Sequence, residues 1–279
     1  MRRLTIILCM LAMTHIGGAH ATSSVKTDEL GVELVSQSST LAPGATAWLG
    51  LHLKHAPHWH TYWINPGDSG LPMKLNWSLP PGFIADDIAW PAPKRFSVGE
   101  LANFGYDGEV LLPVMLHVSP NAKPGTFVNI VVDARWLVCH EECIPGRATL
   151  TLDLPVATQA QVDQRWRVAF AAARGAQPQG EPLKASARVS GSSIEISLPH
   201  GELRDAARLD AFAVQGKVIA NTPPAVTLRN SNIMLIFVKS DYFTSIPDAL
   251  DLVIVRTRAP ALRAHAVFAE SGAISKPPH

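Results

Sequence analysis

Short runs of β-prone residues, separated by turn-forming residues, most limit what this chain can fold into. Between residues 25 and 156 these runs fall at 32–35, 47–53, 73–77, 110–116, 127–132 and 148–152. Several of them alternate apolar and polar side chains, which is the pattern of a strand with one buried face. Clusters rich in proline and glycine lie between them, at residues 43–44, 65–68, 80–82 and 123–125. Because these residues favour turns, the spacing predicts a β-sandwich.

The second half of the chain changes pattern and then returns to it. Thr158 could cap a helix with one apolar face, consisting of Val162, Trp166, Ala169, Phe170 and Ala173. Gly175 and Pro178 would end that helix. We therefore expect a connecting helix and a loose linker over residues 157–182, although the helix could equally belong to one flanking domain. Further β-like runs predict a second, smaller sandwich over residues 183–270, followed by a flexible tail at 271–279.

The N-terminus has the features of a secretory signal peptide. Basic residues 2–3 precede an apolar run at residues 4–13, and Ala19-His20-Ala21 offers a cleavage site. The run is too short to span a bilayer, so we expect residues 1–21 to be removed, together with Cys9. We expect the mature protein to be soluble and exported, since no later stretch is long and apolar enough to span. A net charge of +1 argues against nucleic acid or an anionic membrane as its main partner.

Two cysteines, Cys139 and Cys143, remain after this removal. The residues before them are strand-like, and Pro145-Gly146 would break a helix, which favours a hairpin end over a helical turn. A disulfide closing so small a ring gains little from loop entropy, so stability is a poor reason for it. A reducible, exposed pair suits a redox carrier. An ordinary structural disulfide is the alternative.

Charged residues around the pair act in opposite directions. Arg135, Arg147 and a protonated His140 would favour a thiolate, whereas Glu141 and Glu142 would oppose one. The residues alone do not indicate which sulfur is attacked first.

Histidines provide an alternative chemistry. His52, His55, His58 and His60 lie close together in the sequence, and strand alternation places His58 and His60 on one face. With His140 and the two thiolates they could bind copper or zinc. The aromatic residues nearby, Trp59, Tyr62, Trp63, Trp77, Trp90 and Trp136, are more typical of core and turn packing than of a ligand platform.

Several segments together resemble a known family. Residues 58–72, 90–93, 104–106, 112–114 and 139–145 are similar to the N-terminal periplasmic domain of DsbD-type protein-disulfide reductases, in particular the ScsB branch, which is linked to copper tolerance. The resemblance covers about residues 30–156. The second domain more faintly resembles the additional immunoglobulin-like domain of that branch.

The resemblance implies an all-β fold of two immunoglobulin-like β-sandwich domains joined by a short helix. It implies that residues 25–156 are a redox domain in which Cys139 and Cys143 form the redox-active pair. A cap loop shields this pair in the family, and Phe96 is the candidate here, with Phe104 and Tyr106 as alternatives.

The resemblance also implies a function. The family's domain takes electrons from a membrane-embedded reductase by way of a thioredoxin-like domain. It passes them to periplasmic thioredoxin-fold clients that serve disulfide isomerisation, cytochrome c maturation or oxidative defence. This sequence ends at His279 without the membrane and thioredoxin-like domains, so we expect a separate electron donor. We expect a component of a protein-disulfide reductase with no cofactor beyond its disulfide. The alternative is a non-catalytic binding module, holding either copper(I) or a purely structural disulfide.

Overall fold

The structure of the protein is a computed structural model that describes residues 23–201, 203, 209–229 and 231–268. The predicted signal peptide, Cys9 and the predicted tail at 271–279 lie outside these residues. Two β-sandwich domains with a short helix between them make up the described chain, which confirms the predicted fold class.

The first domain and the segment after it contain thirteen strands within the described residues. They are β1 (Ser24–Lys26), β2 (Leu30–Ser36), β3 (Ser38–Thr40), β4 (Thr46–His55), β5 (His60–Gly67), β6 (Lys74–Ser78), β7 (Ile84–Ile88), β8 (Lys94–Val98), β9 (Leu101–Asp107), β10 (Glu109–His117), β11 (Phe127–Cys139), β12 (Cys143–Pro155) and β13 (Gln161–Val162).

These strands form two facing sheets. One has the order β1-β2-β4-β10-β7 and the other the order β12-β11-β5-β9-β8, with β6 also paired to β11. Alternation along the strands turns Leu49, Leu51 and Leu53 of β4 into the same core as Ile130 and Val132 of β11. All five side chains are buried, and this burial is the main source of stability. The strands β3 and β13 pair separately.

The helix α1 (Arg167–Ala176) is shorter than the sequence pattern predicts. Thr158 does not cap it, because the chain first forms β13 and a turn, and Trp166 is the residue that precedes the helix. Phe170 and Ala173 pack against Val35 and Leu111 of the first sheet. The helix therefore lies against the first domain while it leads to the second.

Seven strands form the second domain within the described residues. They are β14 (Gln179–Ser190), β15 (Ser193–Pro199), β16 (Leu209–Ala213), β17 (Ala225–Arg229), β18 (Asn232–Val238), β19 (Ala249–Arg256) and β20 (Ala259–Phe268). Their hydrogen-bonded order is β16-β19-β20-β14-β15-β18-β17. Side chains from β16 at one end and β18 near the other share one core, so the sheet folds over on itself.

The predicted loose linker needs a correction. Residues 179–182 already belong to β14, which runs parallel to β20 and pairs Gln179 with Leu262. Hydrogen bonds to the neighbouring strand order this segment although its composition is that of a loop.

The two domains share an apolar interface. Phe212 of β16 is buried in the core of the first domain, with its ring 5.0 Å from Phe104 and 6.3 Å from Trp63. The buried Asn65 side chain donates a hydrogen bond of 2.8 Å to the carbonyl of Ala213. The interface thus combines aromatic packing with a satisfied buried polar group.

Candidate functional site

The two cysteines face each other at the tip of the longest hairpin. β11 and β12 pair in unbroken register from Phe127 opposite Pro155 to Cys139 opposite Cys143. The cysteine Cα atoms are 4.2 Å apart and the sulfurs form a disulfide. The loop closes where the His140 amide donates a hydrogen bond of 3.0 Å to the carbonyl of Glu142. The predicted hairpin placement is confirmed.

Exposure differs between the two cysteines. Cys139 is 2% exposed, because β11 lies between β12 and β5 at this point, whereas Cys143 begins the edge strand β12 and is exposed. Attack on a disulfide requires an approaching sulfur to reach one of its atoms. The geometry therefore makes Cys143 the accessible side of the disulfide.

Gly146 makes room for an aromatic ring in the hairpin that carries the pair. Trp136 is opposite Gly146 in the hairpin, and its ring occupies the space that a side chain at 146 would fill. A Cβ atom there would lie 2.3 Å from the Trp136 ring. The Pro145-Gly146 sequence thus shapes the hairpin end as well as excluding a helix.

Tyr62 of β5 contacts the sulfur of Cys143. Its hydroxyl donates a hydrogen bond of 3.7 Å to Cys143 Sγ, and the rest of the side chain is buried. Burial raises the pKa of this hydroxyl, so it stays protonated and remains a donor. Gly70, with a φ of 95°, packs against the ring at a distance that no side chain could occupy. This contact fixes the position of the Tyr62 ring.

His60 and Phe96 lie next to Cys139, with the His60 ring 5.2 Å from the Tyr62 ring. His60 is opposite Cys139 where β5 meets β11, and the Phe96 ring stacks on it at 4.8 Å with a 12° angle between the planes. Burial lowers the pKa of His60, so its ring is neutral. His60 Nε2 is buried without a hydrogen-bond partner among the described residues.

Phe96 belongs to the hairpin of β8 and β9, which we call the cap hairpin. The alternative cap candidates, Phe104 and Tyr106, are buried core residues of the same hairpin. Phe104 packs against Phe212, and the Tyr106 hydroxyl donates a hydrogen bond of 2.7 Å to the carbonyl of Pro91. Of the three aromatic residues, Phe96 is the one stacked on His60 beside the disulfide.

The charged residues near the pair have other partners. Arg147 and Arg135 both bind Asp133, at 2.7 Å and 3.1 Å, and they lower the pKa of that carboxyl group. The charge of Asp133 therefore partly offsets their positive charges, which weakens their effect on the sulfurs. His140, Glu141 and Glu142 are exposed in the loop between the cysteines.

The predicted histidine group is divided among different surroundings. His52 binds Glu109, and the buried His55 ring bonds to Gly108 and Thr61. The rings of His58 and His140 are 5.6 Å apart, whereas His60 is covered by Phe96. Within the described residues there is no group of three or more histidine, cysteine, aspartate or glutamate side chains placed to hold a metal ion.

Sequence reasoning missed two residues of this site. It assigned Tyr62 to packing, although alternation from His60 places both residues on one strand face. It did not select Arg95, which precedes Phe96 and bonds to the second domain.

Comparison with known proteins identifies similar domains. Residues 31–155 match the family model described as "Thiol:disulfide interchange protein DsbD, N-terminal". The structure is similar to the N-terminal periplasmic domain of ScsB from Proteus mirabilis, with a TM-score of 0.67 and 20% identity. That match covers 90% of this chain and 98% of the other. No match was found among curated protein sequences.

Two other structures have TM-scores too low to support an argument. The GAE domain of yeast GGA1 gives 0.28 at 9% identity, over 46% of this chain and 94% of that chain. A protein of unknown function from Porphyromonas gingivalis W83 gives 0.27 at 13% identity, over 87% and 100%. No helix in the described part of the chain has the length and apolar character needed to cross a membrane.

Proposed function

We propose that this protein relays electrons between exported thiol–disulfide partners through Cys139 and Cys143, a proposal supported by the match of residues 31–155 to the family model of the DsbD N-terminal domain. One observation carries the proposal. The disulfide lies at a hairpin tip where Cys143 is exposed and Cys139 is buried, so a partner would approach the pair from the Cys143 side.

Reduction proceeds in two exchanges. A thiolate of a reduced partner attacks Cys143 Sγ, the bond between the two sulfurs breaks, and Cys139 leaves with the electron pair and takes up a proton. The partner and Cys143 are then joined by a mixed disulfide. The partner's second thiolate attacks the partner's sulfur in the mixed disulfide, and Cys143 leaves with the electron pair and takes up a proton. Two electrons and two protons have then moved to Cys139 and Cys143. The reverse sequence reduces a client disulfide.

Residues around the pair support these steps. The Tyr62 hydroxyl, which donates to Cys143 Sγ, would stabilise negative charge on that sulfur as it leaves the mixed disulfide. Phe96 would act as the cap, since its ring covers His60 next to Cys139 and would narrow the approach of a partner to the pair. The two electrons are carried by the two cysteine thiols that form when the sulfur–sulfur bond is broken, so the proposed exchange uses no metal or organic cofactor.

We place the protein in the periplasm. The predicted signal peptide and the similarity to a periplasmic ScsB domain support this location, and an oxidising compartment lets the disulfide form. The proposed electron donor is the thioredoxin-like domain of a membrane-embedded reductase, and the proposed acceptors are thioredoxin-fold clients.

Two matched variants test the proposal. Cys139→Ser leaves the exposed Cys143 as the single thiol, and Cys143→Ser leaves the buried Cys139. We expect the Cys143 thiol to react many times faster with an aromatic disulfide reagent, and to form a mixed disulfide with a thioredoxin-fold protein, because exposure controls access. Equal rates, or faster reaction of Cys139, would contradict the assignment.

A further inference from the structure

A single arginine joins the cap hairpin to the second domain. The Arg95 guanidinium donates to both carboxylate oxygens of Asp210, at 2.7 Å and 3.2 Å, and to the carbonyl of Asn221. It also packs against the rings of Phe104 and Phe212, 4.8 Å from each ring centre. The side chain is 13% exposed. A planar cation held in this way, by a bidentate carboxylate and two aromatic faces, is well fixed.

Arg95 is the immediate neighbour of Phe96. Successive side chains of a strand point to opposite faces, and here Arg95 contacts the second domain while Phe96 contacts His60. A movement of β8 that lifts Phe96 would therefore also pull Arg95 from Asp210.

The cap hairpin has little other support on this side. β8 is the last strand in its sheet order and pairs only with β9 among the described strands. Edge strands lack backbone hydrogen bonds on one side, so side-chain contacts decide how firmly they are held. The contact from Asn221 to Asp68 is a second tie nearby, because Asp68 also accepts a hydrogen bond from the Ala102 amide at the start of β9.

We propose that the second domain controls access to the disulfide by holding the cap hairpin closed through the Arg95–Asp210 contact. Asp210 is then a positioning residue, which acts on the sulfurs through Arg95 and Phe96 and touches neither. The inference rests on the proposed function, in which Phe96 is the cap.

The size of the effect follows from the contact. Where the closed cap blocks the approach to the sulfurs and closes faster than a reductant attacks, the reduction rate is proportional to the fraction of molecules that are open. Removing the charge of Asp210 weakens a half-buried, bidentate, charge-assisted contact. We expect the open fraction, and hence the rate, to rise about tenfold, which corresponds to about 1.4 kcal/mol.

The experiment compares Asp210→Asn with Glu195→Gln in the full mature protein. Both changes remove the carboxylate of an arginine ion pair in the second domain, but the Arg188–Glu195 pair lies within β14 and β15. Asparagine at 210 also keeps an oxygen for the Ala211 amide. The rate of reduction by dithiothreitol is followed by trapping free thiols, and the redox midpoint is measured in the same buffers.

We expect Asp210→Asn to speed both reduction and reoxidation about tenfold with an unchanged midpoint, because the cap alters access and not the relative stability of the two redox states. Glu195→Gln should leave both rates unchanged. Equal rates for these two variants would overturn the inference. Arg95→Lys keeps the positive charge but loses the two-point contact of the guanidinium with Asp210, so it should accelerate reduction less than Asp210→Asn does. This variant replaces Asp210→Asn in the test if Asp210→Asn folds poorly.

A second pair of variants tests whether the effect passes through the cap. In a Phe96→Ala background, Asp210→Asn should change the rate by no more than about twofold, since there is no longer a ring to hold in place. A tenfold effect in that background would overturn the inference. A wild-type disulfide that resists reduction until the protein unfolds would instead overturn the proposed function, so the two failures are distinct.

Discussion

Replacing Phe96 with alanine is expected to speed reduction of the disulfide about 30-fold. Stacking of the ring on His60, at 4.8 Å and nearly parallel, accounts for about 1 kcal/mol. The ring is half-buried, so its removal also loses about half of the ~2 kcal/mol for burying a phenylalanine. The closed cap then loses about 2 kcal/mol, and each 1.4 kcal/mol is about a factor of ten in the open fraction.

The assay is the pseudo-first-order rate of disulfide reduction by dithiothreitol in native buffer, with thiol trapping. Phe127→Ala is the matched control. Phe127 begins the hairpin that carries the cysteines, at the end far from them, and it is 72% exposed. We expect the control rate to equal the wild-type rate. An acceleration of less than about twofold in Phe96→Ala, in a protein with native thermal stability, would refute the cap assignment.

Two further predictions concern stability. Gly146→Ala should lower the free energy of unfolding by about 1–3 kcal/mol, since its Cβ would meet the Trp136 ring, whereas Gly175→Ala, a helix position with open space, should leave it equal or raise it by up to about 1 kcal/mol. Thermal denaturation distinguishes them, and equal losses would contradict the packing argument. Burial lowers the pKa of His55 and His60 below 6.5 in the folded protein, so the unfolded chain binds more protons as the pH falls. The free energy of unfolding should therefore decrease below pH 6.5, by at most about 1.4 kcal/mol per pH unit for each histidine, until the folded state also titrates. Urea unfolding of His60→Phe should show a shallower loss, and an unchanged slope would contradict this reasoning.

The hairpin that carries the cysteines could be predicted because its signals are local. A strand-like run before Cys139 and the Pro145-Gly146 step after Cys143 leave a turn as the arrangement that brings the sulfurs together. The resemblance adds Phe96, which lies beside the pair.

Other features could not be read locally because they depend on distant partners. Arg95 and Asp210 are 115 residues apart in sequence, and no periodicity relates them. Residues 179–182 look like a linker until β20 provides a hydrogen-bonding partner, Leu262, which lies 83 residues after Gln179. The helix began later than expected because the segment containing Val162 pairs with β3 instead. In each case tertiary contacts outweigh local propensity.

The most direct test of the central claim is the redox midpoint of the Cys139–Cys143 pair in the folded mature protein. Equilibration in glutathione or dithiothreitol buffers with thiol trapping gives this value. The account predicts a reversible midpoint between about −270 and −120 mV, the range of thioredoxin-like carriers. A midpoint below about −300 mV, or no reduction without denaturant, would show a structural disulfide and contradict the proposed relay.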